Sequence, residues 1–329
     1  MVSRTFSIII PALNEGKLIG TCIRTITENG FTKEKYDILV MDNGSTDDTV
    51  SIARGCGAKV LICDRTKSIA AMRNKGAAAT SGEVLAFIDA DIEVPPNFLE
   101  VAAQHFDDHF RGALGFVDDV PQEAGWVGRV WGGVQMLKRP RVMAVDNLPG
   151  RNLLVNRSVF EEIGGFDEVL TTGEDKDFCM RIVKAGYKVI SMPSPTPIHR
   201  GYEPDLITFI RKEFWRQGSA LSLAQRHHYR LRSLRNPLLG LWHLVWGGAF
   251  IFGVFFSGRH GWMWFFSGFW IFPSIMIALK TVGRHRSRLF LFQYFILTFI
   301  RWNTTGLALV LDLYKRVRIR LAGSPAVTK

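Results

Sequence analysis

Two apolar segments near the C-terminal end constrain the fold of this chain more than any other feature. Residues 237–256 and 261–282 each hold about twenty mostly apolar residues, and the short stretch 257–260 separates them. A helix of about twenty residues crosses a hydrocarbon core about 30 Å thick. The pair therefore predicts a transmembrane hairpin, and the chain divides into a membrane part and the part that precedes it.

Charge is distributed unevenly along the chain. Residues 200–329 carry 19 Lys and Arg against 4 Asp and Glu, whereas residues 1–199 carry 22 against 26. Basic and aromatic residues together are also found in nucleic-acid-binding proteins, but here long apolar runs separate the charges. That mixture favours a membrane surface with anionic headgroups and argues against a nucleic-acid partner.

Two more segments belong with the hairpin. Residues 203–235 are basic and partly amphipathic, which predicts helices on the membrane surface; a solvated linker helix is the alternative. Residues 289–314 form a third apolar segment, which polar residues at 301–306 interrupt and a basic tail follows. A complete crossing would place that tail outside, so we expect a re-entrant or in-plane segment and a cytoplasmic tail. If the third segment crosses the membrane, Arg301 lies within the span and is a candidate functional residue. If the segment lies in the membrane plane, Arg301 only contacts lipid headgroups.

The first 110 residues alternate apolar strand patterns with helical patterns. The strand patterns are FSIIIPA (6–12), YDILVMD (36–42), AKVLIC (58–63) and EVLAFIDAD (83–91). Strands that are apolar on both faces and separated by helices predict a Rossmann-like α/β fold, with a mostly parallel sheet covered on both sides. Ligands of such sheets bind at the carboxyl ends of the strands.

Carboxylates follow two of these strands directly. Asp42 ends the second strand, and Asp89 and Asp91 end the fourth, so the three side chains are expected at one edge of the sheet. Their oxygens suit a hard divalent ion such as Mg²⁺ or Mn²⁺, although two carboxylates at a strand end can also be simply solvated. The pair Asp118-Asp119 is interpreted as surface charge.

Four motifs in this order resemble the family 2 glycosyltransferases of the membrane-anchored bacterial type, which have the GT-A fold. They are PALNEG (11–16), MDNGSTDDT (41–49), AAMRNKG (70–76) and DAD (89–91). The resemblance extends from about Phe6 to Tyr202. Asn43 departs from the pattern, because the family often has a second aspartate there, at a position whose role varies.

The resemblance implies a nucleotide-sugar site. The residues that would contact the nucleoside are Pro11, Ala12, Asn14 and Glu15, with Asp42 receiving the base, typically uracil. Arg73 would lie near the base and the diphosphate, and Asp89 on the ribose side. Asp91 would coordinate a divalent metal that bridges the phosphates. His199 is a weaker candidate beside the metal or the acceptor, and a structural histidine is the alternative.

The motif TGED (172–175) resembles the acceptor-side acidic motif of the same family. Asp175 would be the general base that takes a proton from the acceptor hydroxyl, and Glu174 would help to place the acceptor or the base. One direct displacement inverts the anomeric configuration. Outside the family context, the same residues indicate only an acidic first helical turn that complements the helix dipole.

The sequence therefore predicts an inverting, metal-dependent glycosyltransferase of the cytoplasmic membrane. It would transfer sugar from a nucleotide sugar, typically a UDP-sugar, to a lipid-linked or membrane-proximal glycan acceptor in surface polysaccharide or glycolipid synthesis. The predicted parts are a cytoplasmic GT-A catalytic domain (1–202), interface helices (203–235) and a membrane domain (236–329).

Two alternatives remain open at this point. One is a polyprenyl-phosphate glycosyltransferase, similar to dolichol-phosphate mannose synthases, whose phosphate acceptor needs no base. The other is a degenerate, membrane-bound interaction subunit, which the presence of both Asp91 and Asp175 disfavours. A processive synthase is disfavoured as well, because the QxxRW signature of cellulose and chitin synthases is absent from the sequence.

Overall fold

The computed structural model describes residues 4–63, 68–107, 109–218, 220–226, 231–256, 261–283 and 286–321. The chain forms two units, of which the first comprises residues 1–124 and 132–202 and the second comprises residues 125–131 and 203–329. The sequence assigns residues 125–131 to the first domain, whereas in the structure they pack within the second unit.

Strands and helices alternate through the first unit. Its strands are β1 (Phe6–Ala12), β2 (Tyr36–Asp42), β3 (Lys59–Ile62), β4 (Val84–Ile88), β5 (Ile92–Glu93), β6 (Gly112–Phe116), β7 (Met143–Ala144), β8 (Asn152–Asn156), β9 (Lys188–Met192) and β10 (Ile198–His199). Its helices are α1 (Ile19–Thr27), α2 (Thr49–Gly55), α3 (Ile69–Ala78), α4 (Phe98–His105), α6 (Arg157–Ile163) and α7 (Glu174–Lys184), with a 3-10 turn at Lys33–Lys35. Helix α5 (Trp126–Lys138) begins in the second unit and ends in the first.

Eight strands form one mixed sheet in the order β3-β2-β1-β4-β8-β6-β9-β7. Strands β3, β2, β1 and β4 are parallel to one another, and β6 is parallel to β9. Strand β8 runs antiparallel between β4 and β6, and β7 is antiparallel to β9. The predicted mostly parallel sheet is confirmed, with antiparallel strands inserted in its second half.

Side chains that alternate along the strands are buried in two apolar cores, one on each face of the sheet. Phe6, Ile8 and Ile10 of β1 are buried in the core that α1 and α4 cover, while Ile9 is buried in the core under α3, α6 and α7. Successive side chains of a strand point to opposite faces, so one continuous apolar strand supplies both cores. Because helices cover both faces of the sheet, polar side chains of a binding site can lie only at the ends of the strands.

The strand register brings the predicted site residues to one edge. Ala12 at the end of β1 pairs with Asp42 at the end of β2, and Ile9 pairs with Phe87 of β4. Asn14 and Asp89 follow the ends of β1 and β4, so they emerge at the same edge as Asp42. The predicted position of these residues on the fold is therefore correct.

The second unit is helical. Its helices are α8 (Leu206–Arg216), α9 (Ala220–Arg226), α10 (Leu231–Phe256), α11 (Gly261–Val282) and α12 (Arg288–Leu321). Within the described residues, three stretches are long and apolar enough to cross a membrane, namely Leu234–Phe255, Trp262–Val282 and Arg288–Tyr314. The link 257–260 and the tail beyond residue 321, for which the sequence makes predictions, lie outside the described residues.

Helix α12 continues through residues 301–306, where the sequence predicts an interruption. Asn303, Thr304 and Thr305 donate side-chain hydrogen bonds of 2.8 Å to carbonyl groups of the preceding helical turn. Polar side chains that bond back to their own helix do not need water, so they need not end it. The predicted interruption is wrong, and the course of α12 across or along a membrane stays a prediction.

Arg301 has partners within its own unit. Its Nε lies 3.3 Å from Oε2 of Glu213, a fully buried residue of α8. Its guanidinium carbon lies 5.1 Å from the ring centroids of Trp131 and Trp302. The ion pair and the two indoles join α8 and residue 131 to α12, a role that the sequence does not predict for Arg301.

Candidate active site

Hydrogen bonds connect the loop after β1 to the loop after β2. The backbone N–H of Asn14 donates to Oγ of Ser45, and the side-chain oxygen of Asn14 accepts from the N–H of Thr46, both at 2.9 Å. Asn14 has a φ of 56°, in the left-handed region that asparagine tolerates better than most residues. The N–H of Glu15 donates to Oγ1 of Thr49 at 2.8 Å. These bonds hold the end of the PALNEG motif against the beginning of α2.

Asp42 lies buried beneath these loops. Its Oδ2 accepts 3.0 Å hydrogen bonds from the N–H groups of Gly44 and Ser45. Its Oδ1 is also buried, and no residue that the structure describes donates a hydrogen bond to it. A buried carboxylate oxygen without a donor is costly, so this atom is a position where a ligand N–H would be stabilised. Pro11 and Ala12 are buried next to it at the end of β1.

Arg73 forms the centre of the site. Its side chain is 2% exposed, and its Nη2 and Nη1 donate 2.8 Å hydrogen bonds to Oδ1 of Asp89 and Oε1 of Glu174. Gly76, one turn later in α3, allows this placement, because a Cβ there would lie 2.5 Å from Cγ2 of Ile9. The close packing of α3 on β1 thus brings the guanidinium between the end of β4 and the beginning of α7.

The charged groups around Arg73 shift one another's pKa values. Burial acts to lower the pKa of Arg73, but the carboxylates of Asp89 and Glu174 raise it above its ordinary value. Burial, together with the adjacent Asp175, raises the pKa of Glu174 to about 7, although Arg73 acts in the opposite direction. Burial also raises the pKa of Asp89, and Asp91 adds to that rise while Arg73 opposes it. The arginine is therefore a fixed cation between two carboxyl groups that burial makes easier to protonate.

Asp175 lies in the first turn of α7 and is half-buried. Its Oδ2 accepts a 3.0 Å hydrogen bond from the N–H of Gly150, and its Oδ1 accepts a 2.7 Å bond from the N–H of Lys176. Gly150 also lies against Arg73, because a Cβ at residue 150 would be 2.6 Å from Nη1 of Arg73. The backbone of Gly150 therefore joins the predicted base to the arginine that holds Glu174 and Asp89.

Asp91 and His199 meet on a second, smaller sheet. Strand β10 pairs antiparallel with β5, with His199 opposite Ile92, and Nε2 of His199 lies 3.4 Å from Oδ2 of Asp91. The absence of a side chain at Gly201 lets the backbone approach both residues closely, because a Cβ there would overlap the carboxylate of Asp91 and lie 3.0 Å from Nε2 of His199. The weakest of the sequence-based assignments, His199, thus lies directly beside the predicted metal ligand.

The donor atoms at Asp91 and His199 fit a divalent cation that is shared with a substrate. Among the described residues, no group of three or more His, Cys, Asp or Glu side chains could hold a metal ion by itself. Mg²⁺ and similar ions are often held by one or two protein side chains together with substrate phosphates. One carboxylate and one imidazole match that arrangement.

The sequence does not predict two residues that lie beside the site, Asp118 and Arg151. Asp118, interpreted from the sequence as surface charge, is 6% exposed and accepts two 2.8 Å hydrogen bonds from Nε and Nη2 of Arg151. Burial acts to raise the pKa of Asp118, but Arg151 lowers it below the ordinary value. Asp118 follows the apolar strand β6 as Asp89 follows β4. A carboxylate just after an apolar strand is therefore the sequence pattern that could have predicted a buried Asp118.

The sequence matches the family model described as Glycosyl transferase family 2 over residues 7–164. Glycosyltransferase AglE of Haloferax volcanii is 30% identical over 190 residues, which cover 56% of this chain and 62% of the relative. Pre-mycofactocin glycosyltransferase of Mycobacterium tuberculosis is 27% identical over 201 residues, which cover 58% of this chain and 43% of the relative. The chain thus spans about half the length of these curated relatives.

A solved structure shares the fold. The mannosyltransferase PcManGT of Pyrobaculum calidifontis, in complex with GDP-Man and Mn2+, superposes with a TM-score of 0.61 at 18% identity. The superposition covers 95% of this chain and 88% of that one. The fold expected from the sequence, GT-A followed by apolar helices, is confirmed.

Proposed function

The chain belongs to the family 2 glycosyltransferases, and from that premise we propose that it transfers a sugar from a nucleotide-sugar donor to a lipid-linked or membrane-proximal hydroxyl acceptor. The observation that carries the proposal is a set of three side-chain groups within the first unit. Asp42 presents a buried oxygen without a donor, Asp91 and His199 present metal-type ligands, and Asp175 presents a fixed carboxylate.

The nucleoside would bind between the loops after β1 and β2. Oδ1 of Asp42 would accept a hydrogen bond from an N–H on the base, as the imide of uracil would offer. Asn14 and Glu15 would close the pocket from above, because their backbone groups are already fixed on the second loop. Pro11 and Ala12 would supply its floor. A pocket whose walls are bonded in advance loses little entropy when the donor binds.

Asp91 and His199 would hold a divalent cation, Mg²⁺ or Mn²⁺, whose charge offsets the negative charge that develops on the departing nucleoside diphosphate. The mannosyltransferase of the same fold was solved with GDP-Man and Mn2+, which is consistent with such a site. Asp89, held by Arg73, would face the ribose. Arg73 itself is committed to Asp89 and Glu174, so its part would be to position these carboxylates near the diphosphate.

Asp175 would act as the general base. Removal of the acceptor proton by a positioned carboxylate accounts for about 10²–10⁴-fold of rate in such reactions. The hydrogen bonds from Gly150 and Lys176 fix the carboxylate of Asp175 in one orientation. The acceptor oxygen would attack the anomeric carbon from the side opposite the leaving diphosphate, so one step inverts the configuration. Glu174 would position the base through Arg73 and Gly150.

The acceptor would be presented at a membrane. Three helices of the second unit are long and apolar enough to cross one. Helix α8 exposes Ile207, Ile210 and Trp215 by 63%, 40% and 62%, and an amphipathic helix with basic residues suits the headgroup region. A relative that is 22% identical over 232 residues is named beta-monoglucosyldiacylglycerol synthase, whose acceptor is a lipid by that name. We propose a multi-pass protein of the cytoplasmic membrane with a cytoplasmic catalytic domain.

The test is a donor panel on membranes that contain the full-length protein, with Mn²⁺ and release of nucleoside diphosphate as the readout. UDP-sugars and GDP-mannose are each offered with a polyprenyl-diphosphate-linked sugar and, separately, with plain polyprenyl phosphate. We expect transfer to the linked sugar, with inversion seen by NMR of the product. Transfer to polyprenyl phosphate alone would establish the polyprenyl-phosphate alternative instead.

Variants test the roles within that assay. Asp91→Ala and Asp175→Asn should each lower turnover at least a hundredfold. Asp37→Asn is the matched control, because Asp37 accepts a hydrogen bond from Ser7 at the opposite end of the sheet. Turnover that neither Asp91→Ala nor Asp175→Asn lowers would show that the roles are assigned wrongly.

A further inference from the structure

Three short chain segments lie side by side next to the proposed metal site. Strand β5, which follows Asp91, pairs with β10, which carries His199. On the other side of β10, the N–H of His199 donates to the carbonyl of Asp119 at 2.8 Å, and the N–H of Asp119 donates to the carbonyl of Pro197 at 2.9 Å. The backbone therefore fixes Asp118, His199 and Asp91 on neighbouring segments.

Their side chains form a row. Nε2 of His199 lies 3.4 Å from Oδ2 of Asp91, and Nδ1 of His199 lies 3.8 Å from Oδ2 of Asp118. The imidazole thus has a carboxylate on each side. A neutral imidazole donates from one nitrogen and accepts or binds a metal through the other, so the partner of one nitrogen decides what the second can do.

Arg151 fixes the far end of this row. Its guanidinium donates two 2.8 Å hydrogen bonds to Asp118, and its carbonyl accepts the N–H of Asp89 at 3.0 Å. Asp118 is therefore held in place and balanced in charge by a residue that is itself tied to the end of β4. Oδ2 of Asp118, which accepts from Nε of Arg151, is also the oxygen that faces Nδ1 of His199.

We propose that Asp118 is a positioning residue, which holds the imidazole of His199 with Nδ1–H towards itself and with the Nε2 lone pair towards the cation shared with Asp91. This inference rests on the proposed function, since it assumes a divalent ion at Asp91 and His199. Carboxylates behind metal-binding imidazoles orient the ring, fix its tautomer and raise its basicity, and their loss weakens metal binding about 10–100-fold. The competing interpretation is that Asp118 and Arg151 form only a structural ion pair.

The experiment measures Mn²⁺ affinity of the full-length protein in detergent, from the EPR signal of free Mn²⁺, with and without UDP. We expect Asp118→Asn to weaken Mn²⁺ binding at least tenfold. Asp177→Asn is the matched control, because Asp177 is also buried and also pairs with an arginine at 2.8 Å, outside the row. Its Mn²⁺ affinity should stay within about twofold of that of the unchanged protein.

A double-mutant cycle separates positioning from general structure. In a His199→Ala background, Asp118→Asn should weaken Mn²⁺ binding no further, because Asp118 acts through the imidazole. Losses that simply multiply would overturn the proposal. If the unchanged protein and His199→Ala bind Mn²⁺ equally, or neither binds it with UDP present, the metal site of the proposed function fails rather than the role of Asp118.

A second variant guards against misfolding of Asp118→Asn, which leaves Arg151 buried without its counter-charge. Asp118→Asn combined with Arg151→Gln removes both charges, and a pair replaced together costs far less stability than one broken by a single change. We expect this double variant to melt close to the unchanged protein and still to bind Mn²⁺ at least tenfold more weakly. Recovery of full Mn²⁺ affinity would show that Asp118 serves only as the partner of Arg151.

Discussion

Arg73 and Glu174 form a buried ion pair of 2.8 Å between residues that are 101 positions apart in the sequence. The pair joins helix α3, which follows the donor-side strands, to the first turn of α7, which carries the proposed base. Arg73 also binds Asp89, so one guanidinium connects the residues proposed to bind the donor with those proposed to act on the acceptor. Positions of the two substrates should therefore depend on this one cation.

Arg73→Lys should lower both stability and transfer. A lysine ammonium is a compact point charge and cannot reproduce the two directed bonds of the guanidinium, so Asp89 or Glu174 loses its partner. Breaking a buried pair costs about 3–5 kcal/mol, which should appear as a lower melting temperature, and kcat/KM for the donor should fall at least tenfold. Arg4→Lys is the control, since Arg4 pairs with the half-exposed Glu83. Equal effects of the two substitutions would contradict the role given to Arg73.

Glu174→Gln should change how stability depends on pH. The pKa of Glu174 rises from 4.5 to about 7 in the folded protein, first because of burial and then because of Asp175. Between these values the folded state binds the proton more tightly than the unfolded state, so this group makes stability fall as pH rises. Glutamine cannot ionise, so the variant should gain stability relative to the unchanged protein from pH 4.5 to pH 7.

Melting temperatures of both proteins across that pH range measure the effect. Glu162→Gln serves as the control, because the side chain of Glu162 is 52% exposed. The melting temperature of Glu174→Gln minus that of the unchanged protein should increase from pH 4.5 to pH 7; a value that stays constant or decreases with pH would contradict the raised pKa.

The location of Asp42 and Asp89 at one edge of the sheet was predictable from local pattern alone. Asp42 and Asp89 each follow an apolar strand, and parallel strands bring their ends to one edge whatever the details of packing. Asp118 follows β6 in the same way, but its interpretation as surface charge was wrong. Its partner Arg151 lies 33 residues later, and no local pattern indicates which distant arginine will bury a carboxylate.

Long-range pairing also explains the position of Arg73. The sequence assigns Arg73 to the base and diphosphate, while the structure commits it to Asp89 and Glu174, a partner that only the tertiary fold brings near. The predicted interruption of α12 is wrong for a local reason, because polar side chains within a helix do not by themselves expose its backbone. Thr304 and Thr305 instead satisfy their hydroxyl groups on the helix itself.

Gly201→Ala should weaken Mn²⁺ binding with little effect on folding. The added methyl would overlap the carboxylate of Asp91 and lie 3.0 Å from Nε2 of His199, so one of the two ligands must move. We expect at least a tenfold loss of Mn²⁺ affinity, because metal sites tolerate only small changes of ligand position. Gly55→Ala is the matched control, since a Cβ there meets no atom within 4 Å. Unchanged affinity in Gly201→Ala would place the cation elsewhere.

Trp242→Phe should destabilise the helices of the second unit, and Pro273→Ala should offset that loss. Pro273 lies inside α11 and has no N–H, so the carbonyl of Phe269, four residues earlier, lacks its helical partner. Nε1 of Trp242 in α10 donates to that carbonyl at 2.8 Å. Hydrogen bonds between membrane helices contribute about 0.6 kcal/mol on average and about 1.7 at most. Trp242→Phe should therefore lower the melting temperature in detergent by a few degrees.

In a Pro273→Ala background the restored N–H donates to the carbonyl of Phe269, so Trp242→Phe should lower the melting temperature measurably less. Equal losses in both backgrounds would show that Trp242 stabilises α11 by packing alone.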